Sequence, residues 1–428
     1  MSRIPQWVRL LFQRKMLLIL ILGFVSGLPL GLTGTTLQAW YAIEGVDIVT
    51  IGFLGLVGQP YVYKFMWAPL MDKWQMPFAG RRKGWILTTQ FALIAFFIAI
   101  ALTHPISHPY YLAFLALSVA FFSATQDIAI DAYRTELLTT QERGLGTSMA
   151  VSGYRIAMLV SGGLTLVMAH YIGFSITYLF MAVLMGIGVI VTLFAKEPPH
   201  YREPSPHFLS ACVAPFKEFL SRKNAVFLLI FLMIYKLGDV FANGLTTVFL
   251  LKGVGFSLVD IGLTNKTVGL AATLIGVFLG GAMMVRLGLF RALVIFGIIQ
   301  ALTNLLFLVL TWVGPDKSML VLTVAIENIG SGLGTAAFMV LIMSLCKAPY
   351  TATQFALFSA ITAMGRVFVG PLAGLLVEKV GWSEFFIWTV IFAIPGLLLL
   401  IWLRGTIDSY EADQKQAALP EDAVSLQA

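Results

Sequence analysis

Twelve apolar runs constrain this sequence more than any other feature. Each run is about 20 residues long, the length that a helix needs to cross the hydrocarbon core of a bilayer. Charged residues make up 11% of the chain, against about 25% in soluble domains, so most of the surface must face lipid. The sequence therefore predicts an all-α membrane protein with twelve transmembrane helices. These spans lie near residues 16–37, 49–71, 84–103, 110–133, 145–169, 173–195, 225–248, 257–283, 290–312, 318–345, 353–377 and 382–404.

The distribution of basic residues orients these spans. Loops on one side of the membrane hold 20 of the 28 lysines and arginines, and loops on the other side hold Lys252, Lys317 and Lys379. Because cytoplasmic loops are enriched in Lys and Arg, we expect both termini and the loop at 196–224 to be cytoplasmic. The net charge of +7 thus reflects membrane topology, and we expect no nucleic-acid partner.

The loop at 196–224 separates two halves of six spans each. Its first part contains four prolines and is expected to be extended, whereas Phe208 to Lys223 is compatible with an amphipathic helix lying on the membrane. We predict that the polar tail is loosely ordered. The predicted organisation is an N-terminal half at 1–195, a cytoplasmic linker at 196–224, a C-terminal half at 225–404 and a cytoplasmic tail at 405–428.

The two halves contain an internal repeat. With Asp72 after span 2 aligned to Val285 after span 8, an offset of 213 residues, Gln141 at the start of span 5 falls on Gln354 at the start of span 11. Both loops resemble the major facilitator signature, roughly G-x-L-a-D-R-x-G-R-R, although Ala68 replaces the leading glycine of the first copy. The resemblance implies a major facilitator fold of two six-helix halves. Loops of this kind join helix ends on the cytoplasmic side, which implies structural or gating roles for Asp72, Arg81 and Arg82.

Charged residues inside the spans of the N-terminal half form a second pattern. A charge at bilayer depth costs at least about 2.5–3.5 kcal/mol, so it usually faces a cavity or a partner. Span 4 places Ser123, Asp127, Asp131 and Arg134 on one helical face, since they are separated by four, four and three residues. Lys64 and Asp127 could instead form a packing ion pair, and Asp131 with Arg134 a structural or gating charge relay.

The C-terminal half carries more polar groups near the middle of its spans. Acids and bases then occur in both halves, a composition typical of a cavity for an anionic solute with proton coupling. Ion pairs that only fix helix packing remain the alternative. The groups are Lys236, Asp239 and Asn243 on span 7, Lys266 on span 8, Glu327 and Asn328 on span 10, and Arg366 on span 11, beside Arg155 on span 5 of the first half.

Enzymatic motifs are not found. The sequence has no Walker A, G-x-S-x-G or H-E-x-x-H motif, and its two cysteines, Cys212 and Cys346, have no metal-ligand spacing. A membrane-embedded transferase would need a nucleophile or metal cluster at one membrane face. We therefore expect a transporter with no metal and no cofactor, rather than an enzyme or a sensor.

Several stretches are more specific than the general facilitator pattern. Together they resemble the AmpG family of muropeptide permeases, relatives of the acetyl-coenzyme A transporters. The run Gln126-Asp-Ile-Ala-Ile-Asp-Ala-Tyr-Arg134 on span 4 is the most specific of them. Some members of that family have two further hydrophobic segments near the C-terminus, which this sequence does not show. The other stretches are Gly23–Leu30, Thr36–Trp40, Pro60–Pro69, Gly80–Trp85 and Gly153–Arg155.

The resemblance implies proton-driven import of N-acetylglucosaminyl-1,6-anhydro-N-acetylmuramyl peptides across the bacterial inner membrane. Such import serves peptidoglycan recycling and bears on β-lactam resistance. We expect a monomer in the lipid bilayer with a small glycopeptide substrate, and another anionic solute, such as an acyl-coenzyme A or a siderophore, is the alternative. The predicted proton-coupling residues are Asp127, then Asp239 and Glu327. The predicted substrate ligands are Arg155, Lys236, Lys266 and Arg366 for carboxylates and Gln126, Asn243 and Asn328 for sugar hydroxyls.

Overall fold

A computed structural model describes residues 13–45, 57–198, 208–347 and 350–417. Every regular element in these ranges is helical. Ten stretches within them are long and apolar enough to cross a membrane. They correspond to spans 1, 3 to 10 and 12, and residues 49–56 of predicted span 2 lie outside the described part. The ten are Arg14–Tyr41, Arg81–Ala101, Pro109–Leu137, Arg143–Ile172, Phe174–Phe194, Ala225–Asn243, Asp260–Leu287, Leu289–Val313, Lys317–Leu345 and Leu372–Trp402.

Spans 2 and 11 are also helical where they are described. Span 2 consists of helix Gln59–Tyr63, a 3-10 turn at Lys64–Met66 and helix Ala68–Lys73. Spans 11 and 12 form one stretch, Thr351–Trp402, which is interrupted at Gly381. The helix order is that of the predicted all-α major facilitator fold.

Glycines in the left-handed region separate consecutive spans at repeated positions. Gly173 between spans 5 and 6 has a φ of 80°, and Gly381 between spans 11 and 12 has a φ of 74°. Gly80 and Gly288 do the same before spans 3 and 9. An L side chain is strained in this conformation, so glycine fixes these turns. Both pairs are 208 residues apart in sequence, which repeats the same helix-turn-helix geometry in each half.

Besides span 2, five spans are interrupted within their described residues. Spans 1, 5 and 8 contain π-helical turns, and the helices of spans 7 and 9 are each interrupted over one or two residues. Such irregular backbone inside a membrane is tolerated where neighbouring helices bury it or where it lines a polar site. The π-helical turns are Leu32–Thr36, Leu159–Leu164 and Asn265–Gly269, and the breaks follow helices Ala225–Ile234 and Leu289–Thr303.

The chain forms two compact units. Unit 1 comprises residues 1–137, 149–216 and 346–360, and unit 2 comprises 138–148, 217–345 and 361–428. Each unit thus contains the beginning of one helix, span 11 or span 5, from the other sequence half. In unit 2 the exchange depends on small residues, because a Cβ at Gly144 would lie 2.8 Å from the Gly281 carbonyl oxygen, and Ser148 Oγ donates to the Val277 carbonyl oxygen at 2.7 Å.

Outward faces of the spans are apolar. Phe194 is 86% exposed, and Leu102 and Tyr171 are each 80% exposed. Exposed apolar area on this scale would be a liability in water, but it suits contact with lipid chains. The helices therefore belong to a multi-pass membrane protein.

The expectation of a loosely ordered tail is wrong for its first part. Residues Arg404–Ala417 form a helix, and Ile407 in it is fully buried. Asn224 Nδ2 donates to Thr406 Oγ1 at 2.9 Å, which ties this helix to the start of span 7. The sequence of this helix is mostly polar, so the one apolar side through which it packs was not recognised. Helix Phe208–Leu220 occupies the stretch of the linker where the sequence favours one.

Candidate functional site

A first polar cluster lies in unit 1 around Asp127 of span 4. The Ser26 hydroxyl of span 1 donates a hydrogen bond to an Asp127 carboxylate oxygen at 2.5 Å. Asp127 also interacts electrostatically with Lys64, Asp131 and Arg134. Lys64 is buried and makes no ion pair with Asp127 within 4.0 Å among the described residues. The carboxylate is therefore held by a hydroxyl at contact distance and by the Lys64 charge from farther away.

Glycines bring span 1 close enough for this contact. A Cβ at Gly23 would lie 2.3 Å from the Ala150 carbonyl oxygen, and a Cβ at Gly153 would lie 2.0 Å from the Leu20 carbonyl oxygen. Spans 1 and 5 thus touch backbone to backbone, as small residues permit in membranes. The glycine pattern of span 1 therefore serves packing, and this packing fixes the height of Ser26.

Two predicted substrate ligands of unit 1 differ in their surroundings. Gln126 is fully buried, and neither amide atom has a hydrogen-bond partner in the described part of the chain. Arg155 is exposed on span 5. The hydroxyl of Tyr61, which sequence reasoning missed, interacts electrostatically with Asp127. The binding roles of Gln126 and Arg155 stay predictions.

In unit 2, Lys236 lies at a break in span 7. Helix Ala225–Ile234 ends before it and helix Leu237–Val248 begins after it. Lys236 Nζ donates to Thr335 Oγ1 of span 10 at 2.7 Å, and it lies 5.9 Å from the centroid of the Phe338 ring. A half-buried ammonium group is thus directed toward span 10 by a hydroxyl and an aromatic face.

Two acids of unit 2 are joined by one amide. Asn243 Nδ2 donates to Asp239 Oδ1 and to Glu327 Oε1, each at 3.1 Å. Asn328 Nδ2 donates to Glu327 Oε2 at 3.0 Å, and Thr273 Oγ1 of span 8 donates to Asn328 Oδ1 at 2.9 Å. A continuous hydrogen-bond network therefore connects spans 7, 10 and 8. Glu327 is 4% exposed, whereas Asn243 is exposed.

Of the other predicted bases of this half, Lys266 does not join this network in the described structure. Lys266 lies in the π-helical turn of span 8 and is exposed. The side chain of Arg366 lies outside the described residues. Substrate contact by Lys266 and Arg366 stays a prediction.

The predicted gating charge Asp72 is the centre of a buried network at the end of span 2. Its carboxylate accepts hydrogen bonds from Ala352 N at 3.1 Å, Thr353 N at 2.8 Å and Thr353 Oγ1 at 2.7 Å. Arg82 Nη2 donates to it at 2.8 Å. Asp72 therefore caps the first turn of span 11, where free backbone N–H groups favour a carboxylate.

Arg81 and Arg82 are held by an acid that the sequence analysis did not select. Glu136 at the end of span 4 lies 3.0 Å from Arg81 Nη2 and 2.6 Å from Arg82 Nη2. Glu197, also missed, accepts hydrogen bonds from the backbone N–H groups of Arg82 and Lys83 at 2.7 and 3.1 Å. These acids lie far from the arginines in sequence, so only the folded chain shows the pairing.

Asp131 and Arg134 form the predicted pair one turn below Asp127. Arg134 Nη2 lies 3.0 Å from Asp131 Oδ1. The guanidinium carbon is 5.8 Å from the centroid of the Phe355 ring, a residue of span 11 that belongs to unit 1. The pair thus links span 4 to the same helix start that Asp72 caps.

Three hydroxyl residues of these networks were missed because the sequence gives only a weak indication of their roles. Ser26, Thr273 and Thr335 each lie within an apolar run, where a hydroxyl can be satisfied by its own helix. Nothing in the sequence separates them from the many other span hydroxyls. Among the described residues, no group of three or more His, Cys, Asp or Glu side chains could hold a metal ion.

Comparison with known proteins places this architecture in a class. The profile of the Major Facilitator Superfamily matches residues 19–314 and 238–426. The fold is similar to that of the human organic anion transporter MFSD10, with a TM-score of 0.65 and 16% identity over 93% of this chain and all of that one. It is also similar to the fucose:proton symporter FucP of Escherichia coli, with a TM-score of 0.67 and 14% identity over 91% of this chain and 98% of that one.

Sequence relatives narrow the class further. The chain is 47% identical over 405 residues to the anhydromuropeptide permease of Escherichia coli K12, which covers 94% of this chain and 82% of the relative. It is 33% identical to a putative transporter AmpG 4 of Rickettsia felis over 91% of this chain and 96% of the relative. The chain belongs to the AmpG family of muropeptide permeases within the Major Facilitator Superfamily.

Proposed function

We propose that this protein imports anhydro-muropeptides across the bacterial inner membrane and that protons drive the uptake. The observation that carries the proposal is the Asp239–Asn243–Glu327 network with Lys236 inside apolar spans of unit 2. Ionisable groups at such depth are costly unless they serve a pathway or a relay. An ammonium group and two acids, joined through side-chain amides, suit an anionic solute that travels with a proton.

The substrate class rests on sequence similarity. The Escherichia coli relative is named an anhydromuropeptide permease, and the match covers 94% of this chain. A muropeptide offers peptide carboxylates to a lysine such as Lys236 and sugar hydroxyls to amides such as Asn243. Because the relatives are named permeases and transporters, transport is favoured over catalysis by a membrane-embedded transferase.

The proposed mechanism is alternating access of two six-helix halves around polar groups within the spans. A carboxylate takes a proton from the periplasmic side and releases it to the cytoplasm. Asp127 is the first candidate, since it lies inside span 4 and accepts its hydrogen bond from the neutral hydroxyl of Ser26. Glu327 and Asp239 are the further candidates. We further propose cytoplasmic termini, a monomer and no cofactor.

Uptake of labelled anhydro-muropeptide tests the function. Cells that lack their own muropeptide permease would express this protein, and uptake would be measured with and without a protonophore. We expect accumulation that the protonophore abolishes. Accumulation that persists would show that protons do not drive it. Absence of uptake by correctly inserted protein would reject the substrate, and acyl-coenzyme A and siderophores would be screened next.

Matched acid-to-amide variants then test the proton carrier. Asp127→Asn should lose accumulation against a gradient, because an amide cannot take up and release a proton. Asp408→Asn alters an exposed acid of the C-terminal helix and should accumulate substrate like the unmodified protein. Accumulation by Asp127→Asn would exclude Asp127, and Glu327→Gln and Asp239→Asn would be compared in the same way.

A further inference from the structure

Spans 9 and 10 of unit 2 pack along a seam of buried polar groups that the transport mechanism has not used. Three side chains in it have polar atoms without a hydrogen-bond partner among the described residues: Nε2 of Gln300, both amide atoms of Asn304 and Oγ1 of Thr323. Gln300 is 5% exposed, and Asn304 and Thr323 are fully buried. Burying polar groups without hydrogen-bond partners costs free energy, and apolar side chains would fill such a seam without that cost. The polar groups therefore indicate that a polar molecule binds between the helices.

Close contacts fix the alignment of the two helices. A Cβ at Gly334 would lie 2.2 Å from Gln300 Oε1, and a Cβ at Gly330 would lie 3.0 Å from Thr303 Oγ1. Residue numbers rise along span 9 as they fall along span 10, so the helices are antiparallel. Asn304 lies four residues after Gln300 and therefore on the same face of span 9.

The same alignment places Glu327 beside Asn304. Thr323, Glu327, Gly330 and Gly334 are separated by four, three and four residues, so they share one face of span 10. Glu327 is three residues beyond Gly330, about 4.5 Å along the helix axis, and Asn304 is about 1.5 Å beyond Thr303 in the same direction. The two residues thus differ in height by about 3 Å along the helix axes, less than one helical turn, so they lie at nearly the same level of the seam.

Span 9 is interrupted at the same level. Helix Leu289–Thr303 ends just before Asn304 and helix Leu305–Val313 begins just after it. The equivalent helix in the first half, Arg81–Ala101, has no such break. Its residue Gln90, 210 positions before Gln300, is likewise buried without a partner. The break and Asn304 therefore distinguish the half that contains Glu327.

We propose that Gln300, Asn304 and Thr323 hold a file of water molecules along this seam. Glu327 exchanges its proton through this file of waters and not through the exposed surface on which Asn243 lies. A carboxylate accepts up to about four hydrogen bonds, so a water can join the amides of Asn243 and Asn328 at Glu327. A proton leaves the Glu327 carboxyl for the adjacent water as that water passes one of its own protons along the file. No bond other than O–H bonds is formed or broken. Asn304 is thus a positioning residue for proton transfer.

This inference rests on the proposed proton-coupled transport, and the test separates the two. Purified protein in proteoliposomes would be assayed for uptake of labelled anhydro-muropeptide driven by a pH gradient, and for exchange of labelled against unlabelled substrate without a gradient. Exchange needs substrate binding and helix movement but no net proton transfer. If the unmodified protein exchanges substrate but ignores the pH gradient, the proposed coupling fails, and this inference with it.

Asn304→Leu keeps the branched shape and the number of heavy atoms of the side chain and removes its polar atoms. We expect gradient-driven uptake to fall at least about tenfold, with exchange retained. Asn304→Ser, which leaves a hydroxyl and room for water, should restore driven uptake. Gln90→Leu is the control in the first half and should leave both activities intact.

Two results would overturn the proposal. One is driven uptake by Asn304→Leu at the rate of the unmodified protein. The other is a parallel loss of driven uptake and exchange in both Asn304 variants, which assigns Asn304 to packing. Thr323→Val, a smaller change in the same seam, must show the same split between uptake and exchange.

Discussion

Asp72→Asn is the substitution for which the structure gives the clearest expected magnitude. Three of the four hydrogen bonds to the Asp72 carboxylate come from Ala352 and Thr353 at the beginning of span 11, and the fourth comes from Arg82. The side chain is 2% exposed. An asparagine keeps the shape of the carboxylate but removes its charge. It also turns one acceptor into an NH2 donor that faces other donors.

The expected cost follows from these contacts. Hydrogen bonds to a charged group contribute about 1.5–3 kcal/mol each, and removing one member of a buried ion pair costs about 3–5 kcal/mol. Arg82 keeps Glu136 as a partner, so the lower end of this range applies. We expect the beginning of span 11 to be held about 3 kcal/mol less firmly, which raises its opening equilibrium about 100-fold.

A natural thiol reports on this opening. Cys346 is buried and lies at the start of segment 346–360 of unit 1. In a Cys212→Ser background, a maleimide should label Cys346 only when the segment separates from unit 1. Asp72→Asn should therefore speed labelling by up to about 100-fold. Asp408→Asn is the matched control, since its ion pair with Arg404 is 3.6 Å long and exposed and such pairs contribute at most about 1 kcal/mol.

Equal labelling rates in Asp72→Asn and Asp408→Asn would refute the reasoning. The hydrogen bonds from Ala352 and Thr353 would then be geometrically present but energetically unimportant. Faster labelling in both variants would instead indicate general loosening of the cytoplasmic surface. Only a large effect specific to Asp72 supports the capping role.

Three further predictions concern single contacts. Gly153→Val should greatly lower the yield of monodisperse protein in size-exclusion chromatography, because its Cβ would lie 2.0 Å from a carbonyl oxygen. Gly186→Val is the control and should be tolerated, because a Cβ at Gly186 would have no atom within 4 Å. Thr335→Val removes the acceptor of Lys236 and should raise the KM for uptake about fivefold, the effect of about 1 kcal/mol, without loss of folded protein. Glu197→Gln weakens the cap of two backbone N–H groups at span 3 and should lower the thermal unfolding temperature in detergent by an amount equivalent to about 1 kcal/mol.

Much of the fold could be predicted because the signal is a pattern over many residues. Runs of apolar residues define the spans, and the repeat relates the halves. The offset of 213 residues at Asp72 becomes 208 at Gly80 and Gly288, since the first loop contains an insertion of five residues. The breaks at Lys236 and Asn304 were not predicted, because tertiary packing rather than local composition allows a helix to break within the membrane.

The charged residues of the candidate site could be selected from the sequence, but the residues that donate hydrogen bonds to them could not. A lone acid in an apolar run is conspicuous, so Asp127 and Glu327 could be selected from the sequence. Their hydrogen-bond donors could not, because Ser26 is one of many hydroxyls and Asn243 could have faced any direction. The helix at Arg404–Ala417 was missed for a related reason, since a few contacts of Ile407 and Thr406 outweigh its polar composition.

The repeat relates a hydroxyl–carboxylate contact in the first half to a hydroxyl–ammonium contact in the second half. Ser26 of span 1 contacts Asp127 of span 4, and Lys236 of span 7 contacts Thr335 of span 10. Ser26 and Lys236 are 210 residues apart, and Asp127 and Thr335 are 208 apart. The same helix pair is therefore joined at nearly equivalent positions by one hydroxyl and one charge. In the first half the charge is a carboxylate, which can carry a proton. In the second it is an ammonium group, which can hold a substrate carboxylate. Under the proposed mechanism, charge reversal within a shared packing scheme would supply proton coupling in one half and substrate binding in the other without a change of fold.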